Sequence, residues 1–122
     1  MASDRKSTLG IEGFDPVAYF VNGQPRLGKI EFKYPYKGLT YCFSTKENMD
    51  KFTKKPEDFL PQFGGVCALA YPFGGRSPGS PKAWKIVDGK LYFIANHMVR
   101  QIWGWFPFLI GRGQARYRAA NR

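Results

Sequence analysis

Cysteine, histidine and acidic side chains are scarce in this chain, and each shortage removes a class of function. Two cysteines in 122 residues, Cys42 and Cys67, cannot build a disulfide framework, and no CxxC pair offers a zinc knuckle or a thioredoxin-like motif. The single histidine, His97, gives only a nominal Cys/His pair. No Asp or Asn is placed to orient it, and no carboxylates recur at useful spacing, so the chain reads as a non-enzyme. No apolar run approaches the ~20 residues that a membrane-spanning helix requires. The opening MASDRKSTLG lacks the apolar stretch of a secretory signal, which points to the cytoplasm or to a processed form.

Hydrophobic residues make up 43% of the chain and aromatics 17%, enough to bury one core and to exclude a disordered chain. The formal charge of +10 is unevenly placed. Residues 1–75 hold ten Lys/Arg against eight Asp/Glu; residues 76–122 hold nine against one. A basic C-terminal third attracts phosphate-bearing or acidic partners, or serves only as a solvated face that keeps the protein soluble.

The order of patterns predicts a small α+β domain. Residues 1–12 read as a flexible N-terminus, 13–103 as the folded domain and 104–122 as an aromatic, basic C-terminal extension. GFDPVAYFVNGQP opens with a turn or short helix. IEFKYPYKGLTYCFS alternates around Lys37-Gly38, and AWKIVDGKLYFIA alternates around Asp88-Gly89, a preferred pair for a two-residue hairpin turn. The two hairpins are expected to form an antiparallel sheet packed against short helices. Along the second strand Leu39, Tyr41 and Phe43 share one face, leaving Cys42 on the other.

Ser44 to Glu47 has capping-box spacing, so a helix should start there, with Met49 and Phe52 facing the core and Pro56 either ending it or opening a second short helix through Phe59. The Gly64-Gly65 pair precedes a possible helix start at Cys67, where the helix dipole would favour the thiolate. Asn96 is a candidate cap for a last helix that stops at Gly104. The loop from Tyr71 to Lys82 lacks the order of a phosphate cradle. No internal repeat stands out.

GFDPVAYF, YKGLTYCFSTKENMDKF, KPEDFLPQFGGVCALA and GSPKAWKIVDGKLYF together resemble, over about residues 13–94, the YHS domain family, in particular its small single-domain bacterial branch. The resemblance implies a compact α+β fold similar to treble-clef metal modules, and metal handling, most often of copper or zinc. Metal-binding members carry cysteines where this chain has Ala18, Ser44 and Asn48, so the resemblance also implies that soft-metal ligands have been lost. Phe59, Phe63 and Val66 stand where the single-domain branch usually has tyrosine, which should leave Cys67 in drier surroundings.

Two sets of candidate site residues follow. Cys67 and Cys42, completed by His97 and Met98, would suit Cu(I) or zinc, although no spacing signature supports the set and buried structural cysteines are the commoner case. A Cys42–Cys67 disulfide is a further alternative and requires an oxidising compartment. The second set is C-terminal: Trp103, Trp105, Phe106 and Phe108, followed by Arg112, Arg116 and Arg118. Aromatics flanked by arginines suit a protein partner or an anionic membrane surface, or else close the core while the arginines are solvated. Nucleic acid is the weaker partner, since the tail lacks a stacking platform.

Overall fold

The computed structural model describes residues 9–121. The chain divides into two compact units between Leu60 and Pro61, and each is a small α+β assembly. Of residues 1–12, expected to be a flexible N-terminus, positions 1–8 lie outside the described residues, whereas Leu9 bridges Thr40 and Gly10–Gly13 form a tight turn.

In the first unit a tight turn, Gly10–Gly13, leads past Asp15-Pro16 into a one-turn helix, α1 (Ala18–Val21). The hairpin β1 (Lys29–Tyr36) and β2 (Leu39–Phe43) follows, then α2 (Lys46–Lys54) and a closing 3-10 turn at Pro56–Asp58. The alternation along β2 delivers Tyr41 and Phe43 to the core, where they meet Phe52 of α2. Phe52 is fully buried; its ring lies 5.1–6.2 Å from those of Tyr34, Tyr36, Tyr41 and Phe43. Burial of one such ring contributes about 1.5–3 kcal/mol, so Phe52 anchors the unit.

The capping box does not form as the spacing predicts. Thr45 is the N-cap, its Oγ1 accepting from the Asn48 N–H at 3.1 Å, and α2 begins at Lys46. Ser44 is drawn away because its hydroxyl and its N–H both donate to buried Asp15, a tertiary demand that a local pattern does not contain.

The second unit also opens on a tight turn, Gln62–Gly65, followed by a turn over residues 68–70 and a 3-10 turn at Tyr71–Phe73. The hairpin β3 (Ser80–Val87) and β4 (Lys90–Ile94) leads into α3 (His97–Gly104), capped by Asn96 as the sequence predicts, and α4 (Phe108–Ala120). Phe63, Cys67, Ala68, Tyr92, Ile94, Trp103 and Leu109 make the core. No helix starts at Cys67, so the dipole argument for that thiol has no basis. The stretch read as an extension is mostly helix, and α4 packs Leu109 and Gly113 inward; a Cβ on Gly113 would stand 2.6 Å from the Phe63 ring.

The two hairpins belong to two separate two-stranded sheets, one per unit, instead of the single expected sheet. An internal repeat is also present, contrary to the sequence reading. Leu9 bridges Thr40 in parallel as Pro61 bridges Leu91, and Phe14 bridges Leu27 as Val66 bridges Pro78. The register slips between Lys29 and Lys33 in one hairpin and between Ser80 and Trp84 in the other. Both two-residue loops, Lys37-Gly38 and Asp88-Gly89, take positive φ at both positions, the requirement of a type I′ turn. Gly28 lies against the Cys42 backbone as Gly79 lies against Phe93, each too close for a Cβ.

The same motif is thus built twice. Few of the paired positions carry the same residue: Gly13 and Gly65, Ala18 and Ala70, Tyr19 and Tyr71, and Tyr41 and Tyr92 are among them. The two copies share backbone geometry but differ in side-chain chemistry, so the repeat leaves little trace in the residues themselves.

Candidate functional site

The turn after the first tight loop places one side chain at the centre of each unit: Asp15 in the first and Cys67 in the second. Their backbones are held alike. The Asp15 N–H donates to the Arg26 carbonyl at 2.7 Å and the Cys67 N–H to the Ser77 carbonyl at 2.8 Å. The side chains then reach the same place, the link between the second strand of the hairpin and its helix.

Asp15 is 0% exposed and accepts five hydrogen bonds. The N–H groups of Val17 and Ala18 donate to Oδ1 at 2.8 and 3.3 Å. The Ser44 N–H, the Ser44 hydroxyl and Asn48 Nδ2 each donate to Oδ2 at 2.8 Å. Every partner is a donor, which matches the acceptor-only chemistry of a carboxylate and offsets the large cost of enclosing one. The same arrangement affects Tyr19: burial chiefly, with the charges of Asp15 and Glu12, pushes its phenol far above the usual tyrosine range.

Ala18, Ser44 and Asn48, the three positions where the family resemblance expects cysteines, therefore converge on one carboxylate. Their chemistry does not fit a soft metal. Ala18 contributes only a backbone N–H, Asn48 turns its NH2 inward, and both Asp15 oxygens are engaged. Among the described residues no three His, Cys, Asp or Glu side chains gather to hold an ion.

In the second unit the equivalents are Ala70, Ala95 and Val99, all packed against the apolar core. Cys67 is 2% exposed, and its Sγ accepts only the Ala95 N–H, at 3.3 Å, the counterpart of the Ser44 N–H bond to Asp15. Phe63, one of the positions lacking the expected phenol, stacks on Tyr71 with ring centroids 4.6 Å apart, a dry wall near the thiol.

The other candidates are dispersed. Cys42 is buried on the face of β2 away from the aromatic core, and burial pushes its thiol up despite the nearby Lys33 charge. Both cysteines are free, each inside its own unit. His97 and Met98 begin α3 and are exposed, Met98 at 72%.

Of the C-terminal set, Trp103 is the correction. Its position on α3 turns it into the core beside Tyr92, ring centroids 5.6 Å apart, so it is no part of the exposed aromatic face. Trp105, Phe106 and Phe108 are 73%, 42% and 60% exposed around the joint between α3 and α4, with Arg112, Arg116 and Arg118 also exposed. The Arg116 guanidinium sits 5.7 Å from the Tyr71 ring centre. Sequence reasoning missed Asp15 as the hub of the first unit; the Asp-Pro pair was read only as a turn.

The YHS domain model matches residues 17–63, a narrower span than the resemblance by motif, lying almost wholly in the first unit. That segment is similar to the YHS domain, a family associated with metal binding. No curated protein matches the chain, and no solved structure matches it.

Proposed function

We propose that this protein, similar to a YHS domain over residues 17–63 and with Ala18, Ser44 and Asn48 where the resemblance expects cysteine ligands, is a non-enzymatic binding or assembly module. Its contact surface is the aromatic, basic face of the second unit, and its partner an acidic protein surface. The observation that supports this reading is the exposure of Trp105, Phe106 and Phe108 together at the α3–α4 joint. Neighbouring large aromatics left in water are costly for a monomer and are typical anchors of a protein interface. The charge agrees: from Arg76 onward nine basic residues face one acidic residue, Asp88, a balance that steers acidic partners.

An anionic membrane shares that charge. The described α4 gives it less purchase, because Leu109 and Gly113 face inward and the outer side carries arginines without a continuous apolar stripe. No helix among the described residues is long and apolar enough to cross a membrane.

The test is a triple variant, Trp105→Ser/Phe106→Ser/Phe108→Ser, used as bait beside the wild type at low and high salt. A protein retained by the wild type alone, and released by salt, supports the reading; identical retention by both overturns it. Sedimentation with phosphatidylserine vesicles is run in parallel. Binding there that the triple variant loses would assign the surface to the membrane. Anaerobic Cu(I) titration of the reduced protein addresses the rival role in metal binding through Cys67 with Cys42 or His97. Tight stoichiometric uptake that Cys67→Ala abolishes would replace the proposal.

A further inference from the structure

A recess of about 310 Å³ opens in the second unit between β3, α3 and the start of α4. Val87, Trp103, Pro107 and Ile110 give it an apolar wall, and Lys85 and Arg100 bring two cations to it. No acidic side chain lines it, and neither cation forms an ion pair among the described residues, whose two salt bridges are both in the first unit. The Trp103 Nε1–H is enclosed without an acceptor among the described residues and is not reached from the recess, which meets other atoms of the residue.

We propose that this recess binds a small amphipathic organic anion, its apolar body against Val87, Trp103, Pro107 and Ile110 and its carboxylate between Lys85 and Arg100. The chemistry is selective in both parts. Apolar walls with a few convergent polar groups are the usual make-up of a small-molecule site. Two unpaired cations without a compensating acid disfavour a cationic ligand and leave a neutral one without a partner for either charge. Size sets the scale: at ~30 Å³ for each water in the liquid, the recess takes about ten, comparable to a carboxylate with a short chain or one ring. The site is separate from the exposed aromatic surface, since neither Phe106 nor Phe108 lines it.

Octanoate is a suitable probe, titrated by calorimetry and by indole fluorescence, with 1-octanol and octylammonium as controls. One saturable site for octanoate is expected, with octylammonium not binding. Lys85→Gln/Arg100→Gln should weaken octanoate at least about tenfold, since hydrogen bonds to a charged partner are the strong ones. Neither cation is in the core, so this variant keeps its fold, and circular dichroism checks that it does. Ile110→Trp, which fills the recess, should abolish binding. Octanoate binding that the double variant leaves unchanged, octanol binding as tight as octanoate, or no saturable binding at all would each overturn the assignment.

Discussion

Asp15 and Cys67 occupy the same point of the same motif, yet one is the hub of five hydrogen bonds and the other accepts a single weak one. The surroundings changed with them: Ser44 and Asn48 in the first unit correspond to Ala95 and Val99 in the second. A buried polar group and its partners form a set in which no member can be altered alone without leaving a donor or an acceptor stranded. The difference teaches that one backbone supports a polar or an apolar centre equally, provided the set is replaced together.

The largest test of that contrast is stability. Asp15→Ala strands donors from Val17, Ala18, Ser44 and Asn48 and should cost about 4 kcal/mol, whereas Cys67→Ala loses one weak bond and a little volume, about 1 kcal/mol. Urea midpoints at constant m-value measure both, and equal losses would break the comparison.

Transplanting the second centre into the first is the sharper experiment. Asp15→Cys alone should be as damaging as Asp15→Ala, but Asp15→Cys/Ser44→Ala/Asn48→Val should recover about 2 kcal/mol, because the stranded side-chain partners leave together. If the triple variant is no more stable than the single, the two centres are not interchangeable sets.

Alkaline pH separates the units by a smaller margin. Burial raises the pKa of Tyr41 and Cys42, and burial with nearby carboxylates raises that of Tyr19, all in the first unit; in the second, burial raises Tyr92, offset by the hydrogen bond from Gln114. A raised acid pKa means that the folded state keeps a proton the unfolded state has lost, so stability falls with rising pH. The contribution is complete below the unfolded values, about 8.5 for cysteine and about 10 for tyrosine, and is lost progressively above them. Amide exchange followed from pH 8 upward should show the first unit loosening earlier.

The smallest effect on stability belongs to the surface. The Trp105→Ser/Phe106→Ser/Phe108→Ser variant should unfold within about 0.5 kcal/mol per site of the wild type, since exposed side chains contribute little to folding. A much larger loss would place these aromatics in the core and withdraw them from any partner.

Much of the fold was legible because its signals are local. Asp88-Gly89 fixed a hairpin through the backbone preference of its turn, and Asn96 fixed a helix start through one hydrogen bond. The Thr45 cap and the helix of the C-terminal region were less legible. Ser44 offers the same hydroxyl as Thr45, and only the distant Asp15 decides which of them caps; α4 carries Gly111 and Gly113, weak helix formers whose use becomes clear only where Gly113 meets Phe63. Of the candidate site, Ala18, Ser44 and Asn48 were singled out through the family resemblance, but not the carboxylate on which they converge.

By itself the sequence determined the α+β class, the hairpins and the basic C-terminal third, because each is a property of neighbouring residues or of composition. Only the tertiary structure decided that the motif occurs twice, that Trp103 is inside while Trp105 is outside, and which polar groups satisfy one another. Hydrogen bonds and burial join residues tens of positions apart, and distances of that kind are set by packing, which no local pattern encodes.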